Sequence, residues 1–153
     1  MIKIGRTSTE NPDFMKLVKQ LDADLAVTDG DEHAFYDQFN KLDAIKYVLL
    51  AFENETAVGC GAIKEFDAQT MEIKRMYVAP DYRGKGIASE VLTALEKWAA
   101  ELGYATCILE TGTRQSSAIR LYQKNGYQQT PNYGQYAQVQ NSLCFEKKLK
   151  EWH

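Results

Sequence analysis

The stretch "MEIKRMYVAPDYRGKGIASEVL" (Met71–Leu92) decides the fold. Its first part, Met71 to Ala79, alternates apolar with charged residues and predicts a strand. Its last part opens a different period: Ile87, Val91, Leu95, Trp98 and Leu102 recur at helical spacing, and Gly103 stands where a glycine ends a helix. Between the two, Arg83-Gly84-Lys85-Gly86 crowds two cations and two glycines onto a helix N-terminus. Such a terminus exposes backbone N–H groups and a partial positive charge, which suits phosphates. Glycines let those groups approach an anion without a Cβ in the way, and consecutive N–H groups form a nest. Arg83 and Lys85 add formal charge. Two readings stand at this point: a phosphate or pyrophosphate site, or a glycine-eased turn with solvated cations. Two familiar phosphate motifs fail, since Ser89 occupies the last position of G-x-G-x-x-G and Ile87 the lysine position of a P-loop.

Upstream, "IKYVLLAFE" (Ile45–Glu53) and "AVGCGAIKEF" (Ala57–Phe66) are strands separated from each other and from Met71–Ala79 by short turns, an antiparallel meander. Downstream, "YATCILE" (Tyr104–Glu110) follows the long helix, so it becomes a parallel neighbour of Met71–Ala79 through a right-handed crossover. A helix capped by Ser116 or Ser117 runs through Ala118, Leu121 and Tyr122 to Asn125-Gly126. "YQQT" is a short strand, Pro131–Asn141 a polar loop with Tyr133 and Tyr136, and Ser142–Leu149 a closing strand. At the start, Ile2–Ile4 is a strand, and Asn11 caps a helix that carries Phe14, Leu17, Val18, Leu21 and Leu25 on one face. Val27–Asn40 reads as a loop plus a short helix. The result is one α/β domain over 1–153: a mixed, mostly antiparallel sheet with one parallel pair and helices on its faces. The strand ends of such a sheet are where ligands bind.

The 153 residues are 44% hydrophobic and 25% charged with net charge -3, which argues against disorder and against nucleic-acid binding by phosphate neutralisation. Cys60, Cys107 and Cys144 are odd in number and unpaired in pattern, so they read as buried reduced thiols. His33 and His153 are too separated for a metal site, and no metal is expected. Neither a signal peptide nor an apolar run near the ~20 residues of a membrane helix is visible, so the expected setting is soluble and cytoplasmic, with no membrane partner.

The segment Arg83-Gly84-Lys85-Gly86-Ile87-Ala88, within "MYVAPDYRGKGIA", resembles the R-x-x-G-x-[GA] segment of the GNAT (Gcn5-related) acetyltransferases, which bind acetyl-coenzyme A. Downstream, "SSAIRLYQKNGY" (Ser116–Tyr127) resembles that family's A-x-x-L-Y-x-x-x-G-[FY] helix. The two lie in the family's order with a strand between them, and the resemblance covers about Ala57 to Leu149. One departure is Gln115, where the family often has Asn three residues before the alanine, here Ala118.

The resemblance implies an N-acetyltransferase that moves the acetyl group of acetyl-CoA directly to a primary amine, of a small molecule or a protein, in a ternary complex. It implies that N–H groups from Arg83 through Gly84, Lys85, Gly86 and Ile87 to Ala88 cradle the pyrophosphate. Met76, Tyr77 and Val78 would pair with the pantetheine on a bulged strand splayed from its parallel neighbour, and an N–H near Val78 would polarise the thioester carbonyl. Gln115, Ala118 and Tyr122 would also meet the coenzyme. Tyr122 matches the tyrosine that faces the sulfur and is the expected general acid. For the base, Glu72 and Glu110 compete, and water alone is the third option; Glu72 could instead be half of a surface ion pair in the alternation Glu72, Lys74, Met76. Tyr36, Phe39, Tyr133 and Tyr136 are candidates to wall the acceptor pocket, and Asp29, Asp31 and Glu32 could draw a cationic acceptor or simply solvate a loop. Family members are often dimers, which implies a homodimer. The competing functions are an acetyl-CoA-binding sensor with little turnover and a nucleotide-phosphate module.

Overall fold

The computed structural model describes residues 1–29 and 45–149. Its elements are β1 (Ile2–Thr7), α1 (Pro12–Asp29), β2 (Tyr47–Glu53), β3 (Thr56–Asp67), β4 (Thr70–Val78), α2 (Ile87–Glu101), β5 (Thr106–Gly112), α3 (Ser116–Lys124), β6 (Gln128–Thr130) and β7 (Ser142–Lys148). Short 3-10 turns lie at Pro80–Tyr82 and Gly134–Tyr136. One seven-stranded sheet runs β1-β2-β3-β4-β5-β7-β6, and every neighbouring pair is antiparallel except β4 with β5. The mixed α/β architecture read from the sequence is the observed one.

Two apolar layers cover the sheet. On one face, Phe14, Leu17 and Val18 of α1 pack on Val48, Leu50, Cys60, Ala62 and Tyr77. On the other, Ile87, Val91, Leu92, Leu95 and Ala99 of α2, together with Tyr122 of α3, pack on Met71, Ile73, Leu109 and Phe145. Burying each Val, Leu, Ile, Phe or Met side chain among them stabilises the fold by about 1.5–3 kcal/mol. The stripe on α2 differs from the expected one at its end: Ala99 is buried, whereas Leu102 is 40% exposed beyond the helix terminus. Asn11 caps α1 as expected, its Oδ1 accepting the Asp13 N–H at 2.8 Å. That helix continues to Asp29, past the point where the sequence lost its period. For α3, the capping position belongs to Gln115 and no side chain bonds the first turn, so Ser116 and Ser117 do not cap it.

Two local departures from regularity shape the sheet. The register of β3 with β4 shifts between Cys60↔Tyr77 and Ala62↔Lys74, so Arg75 and Met76 together face Gly61. This is a β-bulge with Arg75 at φ 57, and the Cys60 thiol donates to its carbonyl at 3.3 Å. Gly61 is required there, because a Cβ would lie 2.6 Å from Met76 Sδ and 2.8 Å from a Leu95 methyl. The bulge also reverses the alternation. Met71 and Ile73 face α2, yet so do Met76 and Val78, while Arg75 joins Lys74 on the face of α1. The expected run Glu72, Lys74, Met76 therefore does not share one face.

The second departure is the parallel pair. β4 and β5 are bonded only at Thr70↔Thr106, Met71↔Cys107 and Glu72↔Ile108. Beyond Glu72 the two strands part, leaving a wedge between the upper half of β4 and Leu109–Gly112.

Candidate active site

The loop from β4 to α2 presents a bare stretch of backbone. Gly84 and Gly86 take φ of 80 and 81, and a Cβ at either would meet nothing within 4 Å. Their glycines serve a left-handed backbone, not a crowded one. Gly86 is the N-cap of α2. From Gly84 to Ala88, no N–H donates to an acceptor among the described residues. Arg83 differs: its N–H donates to Pro80 O at 3.3 Å, and its half-exposed side chain reaches back along β4 and α1. Nε donates to Val78 O at 2.8 Å, a terminal nitrogen reaches Asp24 of α1 at 3.2 Å, and the guanidinium lies 5.4 Å from the Tyr77 ring centroid. Arg83 thus staples the loop to β4 and α1. Lys85 lies outside, with Nζ 5.4 Å from the ring of Tyr82.

The wedge has a polar edge of its own. Ala79 N–H donates to Val58 O at 2.8 Å, so the adjoining Gly59↔Val78 pair is one whose Val78 N–H and C=O point away from β3, toward β5. The Val78 carbonyl takes Arg83; the Val78 N–H faces the gap.

A cleft of about 820 Å³, counting its open mouth, occupies the wedge. Leu21 and Leu25 of α1 line it from one face of the sheet, and Ala118 and Tyr122 of α3 from the other, so the gap runs through the sheet. Tyr122 is 7% exposed, its ring 5.8 Å from that of Tyr127 and 6.5 Å from that of Phe145. Its hydroxyl has no hydrogen-bond partner among the described residues. Burial, and then the nearby Glu110 carboxylate, push its pKa well above the usual tyrosine range, so it stays protonated at neutral pH. The Gln115 Nε2 is also buried in the cleft, with no partner among the described residues. Those open donors on loop, strand edge and helix, together with a protonated hydroxyl, fit an extended ligand that is anionic at one end.

On the α1 face the cleft holds charge of both signs. Glu72 is only 5% exposed; its Oε2 accepts from Tyr133 OH at 2.7 Å and lies 3.6 Å from Lys74 Nζ. It is a buried, paired carboxylate and not the surface ion pair weighed from the sequence. Tyr133 stacks edge-on between Phe66 and Tyr136, at 5.2 and 5.8 Å. Burial and then Glu72 hold the Tyr133 hydroxyl protonated; burial, Glu110 and Glu72 do the same for Tyr136. Glu110 accepts from Ser142 at 2.7 Å.

Residues 14–127 match the Acetyltransferase (GNAT) family. The chain belongs to the GNAT acetyltransferase family. A relative named IAA acetyltransferase, from Azospirillum brasilense, is 33% identical over 97% of this chain and 98% of its own. A crystal structure from Klebsiella pneumoniae assigned to the acyl-CoA N-acyltransferases superposes with a TM-score of 0.83 at 31% identity, covering 98% of this chain and 99% of that one. A GNAT acetyltransferase from Elizabethkingia anophelis, crystallised with acetyl-CoA, shares the fold with a TM-score of 0.72 at 22% identity over 97% and 98% of the two chains.

Within this GNAT chain, the fold brings Glu72, Met76, Glu110, Gln115, Ala118, Tyr122 and Tyr136 to one cleft. Tyr133 stands behind Glu72, and Gly84 to Ala88 lie at the N-terminus of α2. Tyr77 points instead into the core under α1. Tyr36, Phe39, Asp31 and Glu32 lie outside the described residues. Lys74, Arg75 and Ser142 also join the cluster; the sequence pattern placed Lys74 only in the alternation with Glu72 and gave none of the three a place in the site. Two adjacent cations in a strand otherwise half-buried were the available sign of a bulge. Among the described residues no cluster of His, Cys, Asp or Glu could hold a metal ion, and no helix is long and apolar enough to cross a membrane.

Proposed function

We propose that this GNAT protein transfers the acetyl group of acetyl-CoA to a primary amine, directly, within the β4–β5 wedge. The observation that carries the reading is the conjunction of an unsatisfied N–H row at the start of α2 with a protonated, unpartnered tyrosine in the gap. The N–H groups from Gly84 to Ala88 would hold the pyrophosphate. The edge of β4 at Met76–Val78 and the Gln115 amide would hold the pantetheine arm. Bound there, acetyl-CoA supplies an activated thioester, and the remaining work falls to the chain. The Val78 N–H lies where it can polarise a carbonyl. Tyr122 donates a proton to the departing thiolate. The amine must lose a proton to attack. Glu110 is better placed than Glu72 to receive it, since Glu110 lies close enough to Tyr122 to raise its pKa and stands past the last β4–β5 pair. Glu72 shares one oxygen between Tyr133 and Lys74 and shapes the acceptor side with Tyr136.

We take 1–153 as one catalytic domain, with a cytoplasmic setting in keeping with three buried, unpaired thiols, and a homodimer as its assembly. Measuring transfer across an amine panel with wild type and Tyr122→Phe tests the reading. Loss of the hydroxyl is expected to lower kcat about 100-fold with little change in coenzyme A affinity. Tight coenzyme binding without transfer to any amine would leave a sensor, and stabilisation by ATP or NAD equal to that by coenzyme A would leave a nucleotide module.

A further inference from the structure

The acetyl-transfer reading leaves Arg75 without a task. Its side chain is 2% exposed, lines the cleft and bonds through one terminal nitrogen to Asp22 of α1, a carboxylate that is itself 41% exposed. Its Nε is buried and has no partner among the described residues. A clamp serving only to hold α1 on β4 would satisfy that donor, because a buried unmade bond costs stability. The bulge adds a second observation. In a regular strand Arg75 would point to the α2 face; at φ 57 it points to the α1 face, directly after Lys74. A non-glycine residue in this conformation stores strain, and strain concentrates at functional sites. Two successive cations are thereby brought to one side of a cleft whose other charges are Glu72 and Glu110.

We propose that Arg75 receives a carboxylate carried by the acceptor, so that the acceptor is an amine bearing a carboxylate, an amino acid or a close relative of one. The proposal rests on the acetyl-transfer reading and names its substrate class. A guanidinium edge made of Nε and a terminal nitrogen matches the two oxygens of a carboxylate in parallel hydrogen bonds. With the carboxylate there, the acceptor's amine extends along the cleft toward Glu110 and Tyr122. Lys74 adds positive charge beside the same end, and its approach to Tyr136, with Nζ 6.0 Å from the ring centroid, orients it over the acceptor side.

The test uses the full chain with saturating acetyl-CoA and matched acceptors: amino acids, their carboxamides, their decarboxylated amines, and polyamines. Wild type is expected to prefer the carboxylate member of each set at least about tenfold in kcat/KM, with the difference in KM. Arg75→Met is expected to lower kcat/KM at least about tenfold more for that member than for its decarboxylated partner, with Arg75→Lys recovering part of the loss. Asp22→Asn, which removes only the tie to α1, is expected to keep the preference. Equal use of matched acceptors by wild type, activity on polyamines alone, or equal losses on all acceptors in Arg75→Met and Asp22→Asn would each overturn this proposal and leave acetyl transfer standing. Transfer to no amine whatever would overturn both. The wild-type comparison decides even if Arg75→Met does not fold.

Discussion

Gly86→Val separates backbone from charge as the means of holding coenzyme A. Gly86 sits at φ 81, and valine there carries the left-handed penalty of about 1–2 kcal/mol or more, because Cβ crowds the following carbonyl. Relief of that strain swings the peptides on either side and re-aims the N–H groups of Gly86 and Ile87. A hydrogen bond from an N–H to a charged phosphate oxygen is worth about 1.5–3 kcal/mol, so losing even two of them weakens binding by ~3 kcal/mol, more than 100-fold. Lys85 is exposed, with only the Tyr82 ring nearby, and its contribution to an anion across solvent is about 0.2–1 kcal/mol, no more than roughly fivefold. Titration calorimetry with coenzyme A measures both variants, at two salt concentrations. Gly86→Asn is the companion, since asparagine tolerates the left-handed region and is expected to lose far less than valine. Equal losses in Gly86→Val and Lys85→Ala, both vanishing at high salt, would refute the backbone account.

Three further outcomes follow from the same geometry. Glu110→Gln is expected to lower kcat/KM about 100-fold and to remove the acid limb of the pH–rate profile, with Glu72→Gln acting chiefly on acceptor KM; the reverse order would move the base to Glu72. Burial lifts the Cys60 and Cys107 thiols from 9.0 to about 12, so the unfolded chain releases those protons first. Their stabilising contribution is intact below pH 9 and is lost as pH rises toward 12, at roughly 3 kcal/mol per pH unit for the two together, which urea midpoints across that range will show and which a Cys60→Ala/Cys107→Ala chain should flatten. Gly61→Ala places a methyl 2.6 Å from Met76 Sδ opposite the bulge and is expected to cost about 1–3 kcal/mol in denaturant unfolding while disturbing the β4 edge.

Much of this was legible because local signals were strong. The change from period two to period 3.6 across Met71–Leu92 fixed the order of strand, loop and helix, and a helix between two strands made them parallel. The glycines of the loop pointed to open N–H groups, and the row runs from Gly84 to Ala88 because the Arg83 N–H donates to Pro80 O. What escaped was non-local. Alternation counts assume an unbroken pleat, so one extra residue at Arg75 moved every later side chain of β4 to the opposite face. Nothing in the sequence near Glu72 names Tyr133, 61 positions away, as its partner. The parting of β4 from β5 depends on how far two strands stay paired, which neither strand's own sequence states.

Direct transfer in the wedge is tested most squarely by initial rates with acetyl-CoA and an acceptor amine both varied. Intersecting double-reciprocal lines, acetylated amine equal to coenzyme A released, and no acetyl group retained on the protein are expected. Parallel lines with an acetylated chain, or coenzyme A release without acetylated amine, would contradict it.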